Sequence, residues 1–379
     1  MREKDKNRKT LPFIAIGVPA AVVLAAAVIL VLVLIQNHGK PRSEASGETA
    51  PPAVKADTPG ASDDNAPPEP AGLNGAFTKD YPGGTYDGNF VNGIRSGYGR
   101  MSYENGNIYE GNWENDARSG GGTLTWPNGD TYSGEWANDV RTGNGTYTWE
   151  NGAVYSGSWI DNKRSGHGEM IHANGNKYDG SWENDKKSGE GTFSWSYGDV
   201  YTGNWIEDER NGNGTLTWAS GDIYTGEWDK NNRSGHGVLV YVNGNSYDGN
   251  YEKDKKSGDG VFTWADGSVY TGAWDNDARS GFGVMVYANG SIYKGGWENN
   301  IQSGYGVIVY SNGNRYEGTF VNAEFSGEGT FTWMNGDVYT GNWEGNNRSG
   351  YGVFTPADGE PIEGMWEAGN FIHDPPAVP

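Results

Sequence analysis

Over most of the chain, large and small or polar side chains alternate at every second residue. Tyr201, Gly203 and Trp205 alternate with Val200, Thr202 and Asn204. That period of two marks a strand whose two faces meet different surroundings. A second run follows, with Gly212, Gly214, Leu216 and Trp218 on one face and Asn213, Thr215 and Thr217 on the other. The polar residues 206–211 between the runs read as a loop, and Ala219-Ser220-Gly221 after them reads as a tight turn. The equivalent turn carries Asn-Gly in eight of twelve copies, such as Asn128-Gly129. Asn-Gly predicts a two-residue hairpin turn with positive φ at both positions.

The unit recurs without insertion or deletion. Tyr-x-Gly-x-aromatic begins at residues 86, 109, 132 and so on to 339, every 23 residues, and a thirteenth copy at 362 has lost its Tyr. Such a period signals a repeat array in which each unit meets only its neighbours. The second-run position 101, 124, 147 and onward to 354 is apolar or Tyr in all twelve units. The fourth residue after the repeat Tyr is aromatic in all thirteen, Trp in ten. Glycines beside aromatics on one face leave room for rings to lie over bare backbone. The expected fold is therefore all-β, an elongated, twisted, single-layer antiparallel sheet of 23-residue hairpins. It spans residues 77–370, with 371–379 as a tail. At about 4.8 Å per strand, 24 strands would extend on the order of 110 Å. A longer period, three units in length, overlies the short one. It is seen in Asn105-Gly106-Asn107 and Asn174-Gly175-Asn176, and again in His167 and His236.

The N-terminal part breaks the pattern. Residues 1–10 hold Arg2, Lys4, Lys6, Arg8 and Lys9, and residues 11–35 are uncharged and apolar. A helix of 25 residues reaches about 37 Å, enough to cross a hydrocarbon core of about 30 Å. With the basic flank on the cytoplasmic side, the array would lie outside a single-pass cell membrane protein. A cleaved signal peptide has a shorter apolar core and small residues at its cleavage site. Here the run closes on Leu34-Ile35-Gln36-Asn37, so an uncleaved anchor fits better. Residues 36–76 are rich in Pro, Ala and acidic residues, and read as a disordered tether.

Charge and composition narrow the functional classes. The net charge is −21, and residues 77–379 carry all of it, because 1–35 and 36–76 cancel at +3 and −3. Such a surface repels nucleic acid and anionic headgroups. There is no Cys, so no disulfide or thiolate site exists.

Tyr-x-Gly-x-Trp, a polar stretch and then Gly-x-Gly before an apolar strand resembles the MORN repeat (membrane occupation and recognition nexus). Gly97-Tyr98-Gly99, Gly166-His167-Gly168 and Gly350-Tyr351-Gly352 match its second half. The resemblance implies an antiparallel array of hairpins that acts as scaffold or protein-interaction platform, sometimes by self-association. It brings no catalytic residues and no cofactor.

The remaining residues point the same way. Gly-x-Gly here lacks the strand-to-helix setting and the Lys-Ser/Thr of a phosphate loop. The five His are scattered, and acidic loops such as Glu207-Asp208-Glu209 read as solvated charge, with weak Ca²⁺ binding the alternative. One candidate surface stands out. Trp126, Trp149, Trp195, Trp218, Trp264 and Trp333 occupy the same unit position, and such a row suits sugar rings or an extended peptide. Packing on neighbouring Gly and Tyr is the simpler role. The expected function is a membrane-anchored, non-enzymatic scaffold with a protein partner. The alternatives are a glycan or cell-wall binding module, and an accessory subunit of a membrane enzyme.

Overall fold

The computed structural model describes Gly72 and Asn74–His373. The segment 1–10, the span 11–35, nearly all of the tether 36–76 and most of the tail 371–379 lie outside the described residues. Among the described residues no helix is long and apolar enough to cross a membrane.

The array is a single 27-stranded sheet. β1 (Gly75–Tyr81) pairs with β2 (Gly84–Val91), and β2 with β3 (Ile94–Tyr103). Each later strand likewise pairs antiparallel with the one before it, ending in β26 (Ile362–Glu367) and β27 (Asn370–His373). The strands thus run slightly past 77–370 at both ends. Among the described residues each strand makes its main contacts with the strand before it and the strand after it, because one repeat holds two strands and two turns and nothing longer.

One unit shows the rules. β12 (Val200–Ile206) pairs with β13 (Glu209–Thr217), and β13 with β14 (Ile223–Asp229). The two turns are not those expected. The polar residues 206–211 are not a loop, because Ile206 pairs directly with Glu209. Only Glu207 and Asp208 turn the chain, with φ of 50° and 74°. This is the primed two-residue turn, and it falls on Asn-Asp, Asp-Asn or similar pairs. Asn-Gly sits in the other, wider turn. There Gly129 alone is left-handed, with φ 94°, and its N–H donates to Trp126 O. That is a three-residue loop closed by a left-handed Gly. Asn tolerates either setting, so the dipeptide alone does not choose between them.

The two glycines of Gly-x-Gly have different jobs. Gly203 pairs with Gly214 while Trp205 pairs with Arg210, so β13 holds two residues more than β12 across this interval. Gly212, at φ 71°, takes up that excess, and only a residue free of a Cβ adopts this φ without cost. Gly214 is not left-handed. Its missing Cβ leaves room for the Tyr201 ring, whose Cε2 and Cζ would lie 2.5 Å from that atom. Gly203 is also under this ring, with the Tyr201 hydroxyl 2.6 Å from where its Cβ would be. Gly191, Gly203, Gly214 and Gly226 are neighbours in register, part of a glycine line that crosses the sheet.

Candidate functional site

Two faces of the same sheet behave differently, and their comparison locates the site. On the first face Tyr201 is fully buried and pairs across strands with Leu216, itself 1% exposed. Tyr201 meets Trp205 of its own unit edge-on at 5.2 Å, and Trp228 of the next unit at 5.4 Å. The same Tyr-Trp edge contact repeats along the array. Trp228 Nε1–H donates to Gly214 O at 3.3 Å, so a bare strand carbonyl is capped by the following unit. Burial raises the Tyr201 hydroxyl to a pKa of about 12, partly countered by Arg210. Its O–H donates to Asn204 O.

A row of cations completes this face, and the sequence pattern did not suggest it. Arg118, 5% exposed, lies with its guanidinium 4.2 Å from the Trp136 ring of the next unit. Its Nε–H donates to Asp139 Oδ1 at 2.8 Å, and its Nη2 donates to Asp139 O. Asp139 Oδ1 also accepts the Arg118 backbone N–H. Arg95, Arg141, Arg164, Arg210, Arg233 and Arg279 repeat the arrangement on the Asp or Asn at the equivalent turn of the next unit. Where that partner is Ala323, the cation is replaced by Gln302. The signal was available as a basic residue at one position of most repeats, but its partner lies in another unit. At the opposite end of each hairpin, Asp222 accepts the Val242 N–H and Asp337 the Ala357 N–H. The Ala357 N–H and the Asn335 side chain hold the Asp337 carboxyl below its usual range. Neighbouring hairpins are therefore fastened at both ends and in the middle.

The six tryptophans lie on this fastened face, just past the end of each second strand. The N–H of Trp126 donates to Asp130 O and that of Trp218 to Asp222 O. Trp126 and Trp149 are buried, at 6% and 4% exposure, while Trp195, Trp218, Trp264 and Trp333 are half-buried against the same cluster. Trp149 packs at 4.6 Å on Tyr147, and Trp264 at 4.6 Å on Phe262.

The second face is open. Its positions flank the glycine line: Thr202 and Asn204 on β12, Asn213 and Thr215 on β13. Hydroxyl pairs such as Thr192 with Thr202 and Thr215 with Thr225 link strands here. A trough of about 790 Å³ runs over this part, with His167 and Asp179 toward one end and Thr225 and Gly226 toward the other. The three-unit period acquires a structural meaning on this face. Tyr98 donates to Glu110, His167 pairs with Asp179, His236 with Asp248, and Tyr305 donates to Glu317. Each pair has the same register, one every three units, and the rings stand out from the sheet. The Tyr305 hydroxyl and Arg315 hold Glu317 below the usual carboxylate range. No cluster of His, Asp or Glu suited to a metal ion occurs among the described residues.

Twelve consecutive copies of the MORN repeat match residues 86–108 through 339–360. The chain belongs to the MORN-repeat family. In this MORN array the Tyr, Gly and aromatic residues of the fastened face recur from unit to unit, while residues such as Thr202, Asp179 and Lys294 on the open face change. No curated protein matches the chain. Among solved structures, the TCP10 domain of Danio rerio CPAP, in complex with a peptide of Danio rerio STIL, is 12% identical. It covers 65% of this chain and 96% of that one, with a TM-score of 0.30. The SAS-4 TCP domain of Drosophila melanogaster, in complex with a proline-rich motif of Ana2, is 15% identical. There 49% of this chain and 94% of that one are covered, at a TM-score of 0.22. Virginiamycin B lyase of Staphylococcus aureus is 10% identical over 72% of this chain and 85% of that one, at 0.13. Likenesses at this level carry no inference about activity or partner.

Proposed function

We propose that this MORN protein is a membrane-anchored, non-enzymatic interaction scaffold. Residues 11–35 would cross the cell membrane with residues 1–10 in the cytoplasm, and the tether would hold the array on the outer side. The long uncharged apolar run behind a basic flank supports the anchor. The observation that carries the scaffold reading is the inequality of the two faces. Tyr, Trp and the cation row are spent on fastening unit to unit, while the open face varies in chemistry from unit to unit. A surface with fixed geometry and variable side chains suits recognition, whereas a reaction needs convergent groups in a closed site. Crosslinking of the protein in intact membranes should capture a defined protein attached through open-face residues. Crosslinks confined to lipid, or none, would refute the scaffold. A reporter fused after Lys40 should be active only outside the cytoplasm, and cytoplasmic activity would refute the topology. Glycan binding by the tryptophan row would have to use Trp195, Trp218, Trp264 and Trp333, whose rings keep part of their surface. Loss of glycan retention in Trp195→Ala is the corresponding test.

A further inference from the structure

One row of the open face breaks its own rule at two successive units. The middle residue of Gly-x-Gly stands on this row, and its carbonyl is usually capped by the side chain three residues after the repeat Tyr. Asn204 donates to Asn213 O in this way, and Asn112, Asn250 and Asn342 donate to the carbonyls of Gly121, Asp259 and Tyr351. Ala273 and Gly296 hold the capping position in the two exceptional units, and neither has a group that reaches the Phe282 and Tyr305 carbonyls. The space the cap would fill is open as well. Asn204 Cβ lies 3.5 Å from where a Gly212 Cβ would be, whereas nothing lies within 4 Å of that point at Gly304, and the Ala273 methyl alone does so at Gly281. Each of these notches adjoins an exposed ring, Phe282 at 58% and Tyr305 at 63%.

The two rings are neighbours across the sheet. Phe282 on β19 (Ala278–Val286) pairs with Gly296 on β20 (Ile292–Glu298), and Tyr305 follows on β21 (Ile301–Val309). Two strand intervals, about 9.6 Å, separate them, with bare Gly296 between. The residue twelve positions on steadies each ring: Tyr305 donates to Glu317, and Lys294 Nζ lies 5.8 Å from the Phe282 centroid. The same row carries exposed Asp259 on β17 (Lys255–Thr263) and exposed Glu328 on β23 (Glu324–Thr332). In register the order is acid, ring, ring, acid, with small Ala273, Gly296 and Thr319 on the strands between.

We propose that Phe282, Tyr305 and the notches beside them bind a proline-rich segment of a partner protein, Pro-x-x-Pro in the polyproline II conformation with Arg or Lys three residues to either side. This rests on the scaffold reading above and names the partner's chemistry. Spacing sets the conformation. Every third residue of polyproline II recurs at about 9.3 Å, close to the ring separation of about 9.6 Å. Same-side residues of a β-strand recur at about 6.7 Å, and one helical turn advances about 5.4 Å. Aromatic ridges grip proline rings, and a preformed polyproline II helix loses little entropy on docking. That helix has no internal hydrogen bonds, so its intervening N–H groups are free to donate to the uncapped Phe282 and Tyr305 carbonyls. Charge complementarity sets the flanks, because Asp259 and Glu328 stand one ring spacing beyond the pair and suit cations. The chain's own Pro67-Pro68-Glu69-Pro70 has the proline spacing but carries Asp64 three residues before Pro67, the wrong sign.

The test uses the full-length protein in detergent and a labelled synthetic peptide of about ten residues, Arg-Ala-Ala-Pro-Ala-Ala-Pro-Ala-Ala-Arg. One control peptide moves the second proline one residue further on, and another replaces both Arg by Glu. The first peptide should bind tightest, and added salt should weaken it. Phe282→Ala with Tyr305→Ala should weaken it about tenfold or more. Ala273→Asn, which restores the usual cap, should weaken it about threefold. Asp259→Lys with Glu328→Lys should reverse the preference between the Arg and Glu peptides. His167→Ala with His236→Ala, in the same row but away from the ring pair, should leave binding unchanged. All these positions lie on the open face, and circular dichroism of each variant checks the fold. Equal binding of the peptide with displaced proline would overturn the inference, as would indifference to the Phe282 and Tyr305 changes. It would also fall if those two changes dissociated a dimer of the unliganded protein in sedimentation, since a second copy would then cover the rings. A partner crosslinked in membranes only to other units would leave the scaffold standing and remove this site from it.

Discussion

Two glycines two residues apart should fail in different ways when replaced. Gly214→Ala places a methyl inside the Tyr201 ring, whose Cε2 and Cζ would lie at 2.5 Å from it. The ring cannot shift freely, because it is fully buried and held edge-on by Trp205 and Trp228. Overpacking costs about 1–3 kcal/mol, and each aromatic pair that is broken adds about 0.5–1.5 kcal/mol. The expected loss is about 3–5 kcal/mol, local to two units. Gly212→Ala meets nothing closer than Asn204 Cβ at 3.5 Å, so its cost is the left-handed backbone alone, about 1–2 kcal/mol. Gly212→Asn should cost less still, because Asn tolerates this conformation. A double-mutant cycle separates the mechanisms. With Tyr201→Ala the Gly214→Ala penalty should nearly vanish, a coupling of about 2 kcal/mol or more, while the Gly212→Ala penalty should persist. Long arrays need not unfold in one step, so hydrogen exchange of β12–β14 in the intact protein is the suitable measurement. Equal costs for the two alanines, or a Gly214→Ala penalty that survives without the Tyr201 ring, would refute the assignment of the two roles.

Further predictions concern the fastenings and the buried tyrosines. Asp139→Asn should be close to neutral by hydrogen exchange at Arg118, because Asn162, Asn231 and Asn300 hold Arg in the same way. Asp139→Ala should cost about 2–3 kcal/mol, as it removes the side-chain oxygen that accepts from both the backbone N–H and Nε–H of the buried Arg118. Glu207→Asn should stabilise by a few tenths of a kcal/mol, since Asn fits the first position of a primed turn better than Glu, and a higher melting temperature would show it. Alkaline pH should unfold the array. Burial raises Tyr86, Tyr201, Tyr270 and Tyr316 to about 12 in the folded state, against about 10 when exposed. Above pH 10 the unfolded chain therefore binds fewer protons, and stability present below 10 is lost as pH rises through 12. Tyrosinate absorbance should appear together with loss of the β circular dichroism, and early titration of all tyrosines with the fold intact would contradict the burial.

The sequence pattern carried a large part of this fold. A strict 23-residue period, with Tyr and Gly at alternate positions, determines a meander of antiparallel strands, because the side-chain period of two admits one choice of buried face. The rule that glycine lies beneath an aromatic ring was also legible, since no other use of so many strand glycines fits that pattern. Whether Asn-Gly or Asn-Asp makes the tighter turn was not legible, because both dipeptides accept positive φ and only the strand register selects between them. The Arg118 to Asp139 fastening was hidden as well, because its members belong to different units and meet only when units stack. Local alternation follows from bonds along the chain and is written in the sequence. What lies across from what depends on the strand excess taken up at Gly212 and on turn geometry, and the tertiary structure alone decides it.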